Sequence, residues 1–247
     1  MTAQAELLRR YDTKYLVHVN QLPEIYTALS SRMSVLEHKG LRCAPYTTTY
    51  FDTDDVRTYH DHLKGRRKRF KVRTRHYGDP NLGFLEIKMK KPRGQTLKVR
   101  WPYDLSRIGA TLSDVEISLI NGALRESYYG VIDTPFHRTL HTTFNRTTLF
   151  DAHSRERITI DSQLQASLDP VSTKHPESPT VIDLGQHCAI IEIKSPTKMG
   201  DTHREFTHLG IHETSISKYC AALSVLRSEL VNAPWREALR LLQGAGQ

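Results

Sequence analysis

Cysteine is scarce: Cys43, Cys188 and Cys220 are the only three in 247 residues, odd in number, far apart and without a CxxC spacing. That excludes a disulfide framework and a structural zinc site, and it fits a reducing compartment. Long apolar runs are missing as well. No stretch approaches the roughly 18 residues of a membrane span, and the opening MTAQAELLRRYDTKY has no apolar signal-peptide core. The expectation is a cytoplasmic protein that works at a membrane only if a partner subunit holds it there. Acidic residues are also in short supply, 27 Asp and Glu against 35 Lys and Arg, for a net charge of +8. Such a balance points to anionic partners: phosphorylated small molecules, polyanions, nucleic acid or an acidic membrane surface. No internal repeat or linker interrupts the chain, so residues 1–247 read as one domain.

What the chain has in plenty is alternation. Residues 66–101 hold three short runs separated by the turn signals Gly78-Asp79-Pro80-Asn81 and Pro92-Arg93-Gly94, which predicts a three-strand antiparallel meander. Side chains two apart share a face of a strand. Lys71, Arg73 and Arg75 therefore oppose Phe70, Val72 and Thr74; Glu86, Lys88 and Lys90 oppose Leu85, Ile87 and Met89; Lys98 and Arg100 oppose Leu97, Val99 and Trp101. Like charges set across strands repel. A face so dominated by cations must be wet and must meet an anion, unless it is simply the solvated face of a basic protein.

The same alternation recurs elsewhere. Strands are predicted at 11–19, with Asp12 and Lys14 on one face, and at 46–52. A hairpin is predicted from 138–150 and 157–161, with Arg146 opposite in character to its neighbours and Arg157, Thr159 and Asp161 on one face. A further strand at 187–195 sets Glu192 and Lys194 against Ile191 and Ile193. Helices are predicted at 22–35, after the Thr53 cap as far as Gly65, at 112–124 behind a Ser113/Glu116 capping box, at 217–230 behind Ser217, and from Pro234 onward. Residues 162–180, rich in Ser, Pro and Gln, read as an exposed loop. Loosely spaced histidines, among them His60, His62, His203, His208 and His212, suit surface or hydrogen-bonding roles better than metal ligation. The run Lys64, Arg66, Arg67, Lys68, Arg69 is either a solvated loop or a surface that receives product.

Strands that all follow one rule predict an α+β fold: an antiparallel β-barrel with its apolar faces outward under helices and a basic interior. Its bore would be lined by Lys14, Lys71, Arg73, Arg75, Lys88, Lys90, Lys98, Arg100, Arg146, Arg157 and Lys194, and would need a ligand with several negative charges.

The segments YDTKYLV, YFDT, FKVRTR, FLEIK, FNRTTLF, RITID, IIEIKS and SISKYC, in this order, resemble those of the VTC (vacuolar transporter chaperone) domain. That domain is the polyphosphate polymerase branch of the triphosphate tunnel (CYTH-like) superfamily. The resemblance implies a tunnel that binds ATP with Mn²⁺ or Mg²⁺ and moves the γ-phosphate onto pyrophosphate or a growing polyphosphate, with a possible membrane-embedded partner subunit. By motif, it implies catalytic roles for Lys14, Arg73, Arg75, Lys88, Arg146, Arg157 and Lys218. Phosphate binding would fall to Lys71, Lys90, Lys98, Arg100 and Lys194, and metal holding to Glu192 and Glu86. Asp12 stands where the superfamily often has Glu, and it is given no metal role.

Two rivals remain. A tunnel triphosphatase would need to orient water, and inward acids are few. A nucleic-acid module would need stacking aromatics, whereas Tyr77, Phe84 and Tyr103 lie at strand ends or on apolar faces, which makes nucleic acid the weaker expectation.

Overall fold

The computed structural model describes residues 11–78, 82–91, 96–107, 109–127, 135–169 and 181–244. In chain order its elements are β1 (Tyr11–His18), α1 (Leu22–Leu29), β2 (Ser34–Val35), β3 (Cys43–Asp52), α2 (Arg57–Leu63), β4 (Phe70–His76), β5 (Gly83–Lys90), β6 (Thr96–Pro102) and α3 (Asp114–Glu126). There follow β7 (His137–Phe150), β8 (Arg157–Leu168), β9 (Val181–Asp183), β10 (Cys188–Ser195), α4 (Asp201–His208), α5 (Lys218–Leu226) and α6 (Arg236–Leu242). The turn residues 79–81 and 92–94 and most of the expected loop, 170–180, lie outside the described residues.

All strand pairings are antiparallel, in the order β1-β10-β8-β7-β3-β4-β5-β6, with β2 on β7 and β9 on β8. The fold class is as expected, α+β with a basic concave face, but the barrel is open. Among the described residues no ladder joins β6 to β1. The sheet nonetheless curls until its ends approach. Lys14 on β1 donates to the Ile216 carbonyl at 2.6 Å and Lys71 on β4 donates to Ser217 Oγ at 2.5 Å, so both reach the same turn before α5.

Outside, the apolar faces are covered as predicted. Val72, Leu85, Ile87 and Met89 pack with Ile120, Ala123 and Leu124 of α3, whose capping box forms between Ser113 and Glu116. Ile158, Ile160, Ile191 and Ile193 pack with Ile25 and Leu29 of α1 and Phe206 of α4. The inner face departs from expectation, because it is charged over only part of its length. Tyr50, Leu140, Phe144, Leu164, Ala166 and Ile190 also point inward and bury against α5, α6 and Tyr59 of α2. A bulge between β7 and β8 marks the change: Gln163 takes a positive φ of 53°, and the inward residue switches from Asp161 to Leu164. The bore is thus a cationic cup whose floor is an apolar plug.

Several element boundaries also differ from expectation. Residues 162–168 continue β8 rather than forming a loop, because they pair with both β7 and β9. The first helix ends at Leu29, the helix of 217–230 ends at Leu226, and α4 was not predicted. No helix among the described residues is long and apolar enough to cross a membrane, which says nothing of strands.

Candidate functional site

Strand register brings the cations together. In a directly paired ladder the opposed residues share a face; Arg73 faces Glu86, Lys71 faces Lys88, Lys88 faces Lys98 and Glu86 faces Arg100. On the far wall Arg146 is opposite Asp161, and Lys14 is opposite Glu192, which lies beside Lys194. Between the walls stands the start of α5, with Ser217 Oγ accepting from the Cys220 N–H and Lys218 reaching Asp161.

Two inward carboxylates are sealed by cations. Glu86, 1% exposed, accepts from Arg73 (2.7 and 2.8 Å), from Lys98 and from the Tyr77 hydroxyl at 2.7 Å. Asp161, 2% exposed, is gripped by both ends of the Arg146 fork at 2.5 and 2.7 Å and by Lys218. Burial alone would raise both carboxyl pKa values. Arg73, Arg75 and Lys98 hold Glu86 far below the carboxylate range, and Lys218 and Arg146 hold Asp161 low. Glu192 differs: it is 19% exposed and paired with Lys194, and Lys194, Lys14 and Lys88 overcome its desolvation to hold it ionised.

A third group of cations has no such counter-charge. Arg75 is 6% exposed, and its hydrogen bond goes to the neutral Thr48 hydroxyl at 3.2 Å, with Tyr46 and Phe144 rings 5.7 and 5.8 Å away. Burial and the neighbouring Arg73 lower its pKa. Lys71 is likewise pushed down by burial and by Lys14. Lys88 loses hydration within the cup and feels Lys14 and Lys194, which brings it to about 7 despite Glu192.

The remaining predicted residues sit outward. Lys90 reaches Thr96 Oγ1 at 3.5 Å near the cup's edge. Arg100 lies over the Phe84 ring at 4.6 Å on the edge strand. Arg157 is exposed at the end of β8, opposite Phe150 and Lys194, and the structure does not bring it to the inner cluster.

Two inner residues went unnoticed in sequence. Tyr50 sits opposite Arg73, and although burial would raise its phenol, Arg73, Arg75, Lys218 and Lys71 bring it below 10. Asp52, fully buried, accepts from the backbone of Thr53, Thr58 and Tyr59 and from the hydroxyls of Thr58 and Tyr219, the last at 2.5 Å. It fastens α2 and α5 to β3 and so fixes where Lys218 stands. The acid in YFDT was the available signal.

No three His, Cys, Asp or Glu side chains converge to hold a metal among the described residues. The histidine expectation fits this: buried His203 bonds Thr13 Oγ1 at 3.0 Å instead. With Glu86 and Asp161 occupied, the donor set suits an ion that arrives with phosphate and takes one protein carboxylate, as Mg²⁺ commonly does.

The model of the VTC domain family matches residues 9–227. The chain belongs to that family. No curated protein matches the sequence. Among solved structures, a Bacillus halodurans protein named as a candidate adenylate cyclase is 12% identical over 83% of this chain and 92% of its own, with a TM-score of 0.50. A Pyrococcus horikoshii protein is 14% identical over 90% and 99%, with a TM-score of 0.47. The VTC domain described here therefore has the fold of the triphosphate tunnel, CYTH-like proteins.

Proposed function

We propose that this VTC domain binds a triphosphate in the cationic cup and transfers the γ-phosphoryl group of ATP onto phosphate or polyphosphate. The observation that carries the reading is Arg75: a buried guanidinium bonded to a neutral hydroxyl and flanked by Lys71, Arg73 and Arg146 calls for an anion of high charge. Phosphoryl transfer asks a protein for positioned positive charge more than for covalent chemistry. Arg75, Lys71, Lys14 and Lys88 grip the phosphate chain. Arg73 and Arg146, oriented by Glu86 and Asp161, present planar forks that bind phosphate oxygens in pairs. Lys218 adds charge at a helix start whose N–H groups favour anions.

Glu192 would hold a Mn²⁺ or Mg²⁺ ion, which when bound neutralises phosphate charge. Glu86, with its oxygens taken, serves Arg73 instead. A phosphate acceptor is already ionised, so the transfer needs no base; this suits a cup in which Glu86, Asp161 and Glu192 each hold a cation.

The test is incubation with ATP, Mn²⁺ and a pyrophosphate primer, with products resolved by gel and phosphorus NMR. Chain growth is expected. Free phosphate without growth would replace the transferase with a triphosphatase, and no turnover together with no tripolyphosphate binding would overturn the site.

A further inference from the structure

Arg69, Lys71, Arg73 and Arg75 occupy alternate positions along β4 and its lead-in, spaced about 7 Å apart by strand geometry. Arg73 and Arg75 lie within the cup, Lys71 at its floor turn, and Arg69 one step further out, where the Lys90 N–H donates to its carbonyl at 2.8 Å. Lys90 in turn feels Arg69, Asp12 and Lys14, so the cup's charge continues without a break to this rim.

Beyond the rim the chain runs through Lys64, Gly65, Arg66, Arg67 and Lys68, all exposed. This segment has a fixed shape. Gly65 turns at φ +60°, the Arg66 N–H donates to the Asp61 carbonyl at 3.0 Å, Arg66 Nε meets the Asp61 carboxylate at 3.2 Å, and the Arg69 guanidinium donates to the Arg66 carbonyl at 2.6 Å. Asp61 is the acid seen against it, and it takes Arg66 and Arg57.

We infer that residues 64–69 form a second binding surface, continuous with the cup, for the part of a linear polyphosphate that extends beyond it. The inference rests on the triphosphate reading of the cup and adds a preference for chain length. A short anion fills the cup alone, whereas a long chain engages both surfaces, and each additional contact increases salt dependence because counterions are released.

The experiment compares tripolyphosphate with long-chain polyphosphate on the full chain, wild type against Arg66→Gln/Arg67→Gln/Lys68→Gln. Because Arg66 also holds Asp61, Lys64→Gln/Arg67→Gln serves as a second variant, and melting curves check both folds. The triple variant should leave the tripolyphosphate Kd unchanged and weaken the long chain about 10-fold or more. Its log Kd against log salt should flatten by about 2, at roughly 0.7 per lost contact. An unchanged slope, or an equal loss for both anions, would overturn the inference while leaving the cup intact. Wild-type protein that binds neither anion would overturn the reading of the cup itself. Single-stranded RNA retained as tightly as polyphosphate of equal charge would replace polyphosphate as the occupant.

Discussion

The meander β4–β6 and the hairpin β7–β8 each bury one carboxylate and clamp it with an arginine and a lysine: Glu86 with Arg73 and Lys98, Asp161 with Arg146 and Lys218. The arc between them, Arg75 with Lys71, Lys14 and Lys88, bonds only neutral oxygens where its bonds are seen. The difference separates two uses of positive charge. In the clamps it is balanced and sets geometry; in the arc it is unbalanced and waits for a ligand. Removing a partner from a buried ion pair leaves an uncompensated charge, whereas removing a cation from a crowd of cations relieves repulsion.

The largest effect should come from breaking a clamp. Asp161→Asn strands Arg146 and Lys218 and is expected to cost about 3 kcal/mol of stability, the lower end for a broken buried pair because the amide keeps some hydrogen bonds; urea unfolding measures it. A loss below about 1 kcal/mol would place Asp161 among the dispensable acids. Next, Arg75→Met keeps the apolar stem against Tyr46 and Phe144 but removes the fork. Tripolyphosphate binding should weaken by about 10- to 100-fold, corresponding to the 1.5–3 kcal/mol of a charged hydrogen bond, while the melt of the unliganded protein stays level or rises. A large fall in the melt would move Arg75 from the arc to the clamps. Glu192→Gln, at a partly exposed acid, should leave the melt nearly unchanged and reduce activity most at low Mn²⁺, with partial recovery as Mn²⁺ is raised. Loss that does not depend on Mn²⁺ would assign Glu192 to geometry alone.

The arc was readable in sequence because a strand's two-residue period shows itself whenever one face is charged and the other apolar, as at Lys71, Arg73 and Arg75 against Phe70 and Val72. The clamps were only half readable: the cations were identified, but the register that sets Arg73 opposite Glu86 and Arg146 opposite Asp161 is a cross-strand fact that no single strand encodes. The apolar plug was hidden for a related reason. Leu140, Leu164 and Ile190 look like any buried strand residues, and only the docking of α5 tells inward from outward. Residues 162–168 have the Ser and Gln of a loop yet form a strand, because β7 and β9 satisfy their backbone from both sides. Helix α4, short and polar apart from Phe206, offered little periodic signal; it is held by buried Glu156, which accepts from the Thr202 N–H at 3.0 Å.

Lys88 gives the smallest expected effect and the finest division between clamp and arc. Enclosure in the cup and the nearby Lys14 bring its pKa to about 7, against an ordinary lysine value of 10.5 in the unfolded chain. Below pH 7 the folded state carries the full penalty of that charge. Between about 7 and 10.5 the unfolded state binds more protons than the folded one, so this contribution to stability rises with pH and the penalty fades. Replacing Lys88 with methionine should therefore raise the melting temperature of the unliganded protein at pH 6, by less at pH 9, with the gain reduced further by solvent in the open cup. Saturating tripolyphosphate should reverse the sign, because the anion restores a reason for the charge. A variant that melts lower than wild type at pH 6 without ligand would mean that Glu192 already balances Lys88, and Lys88 would then belong with the clamps.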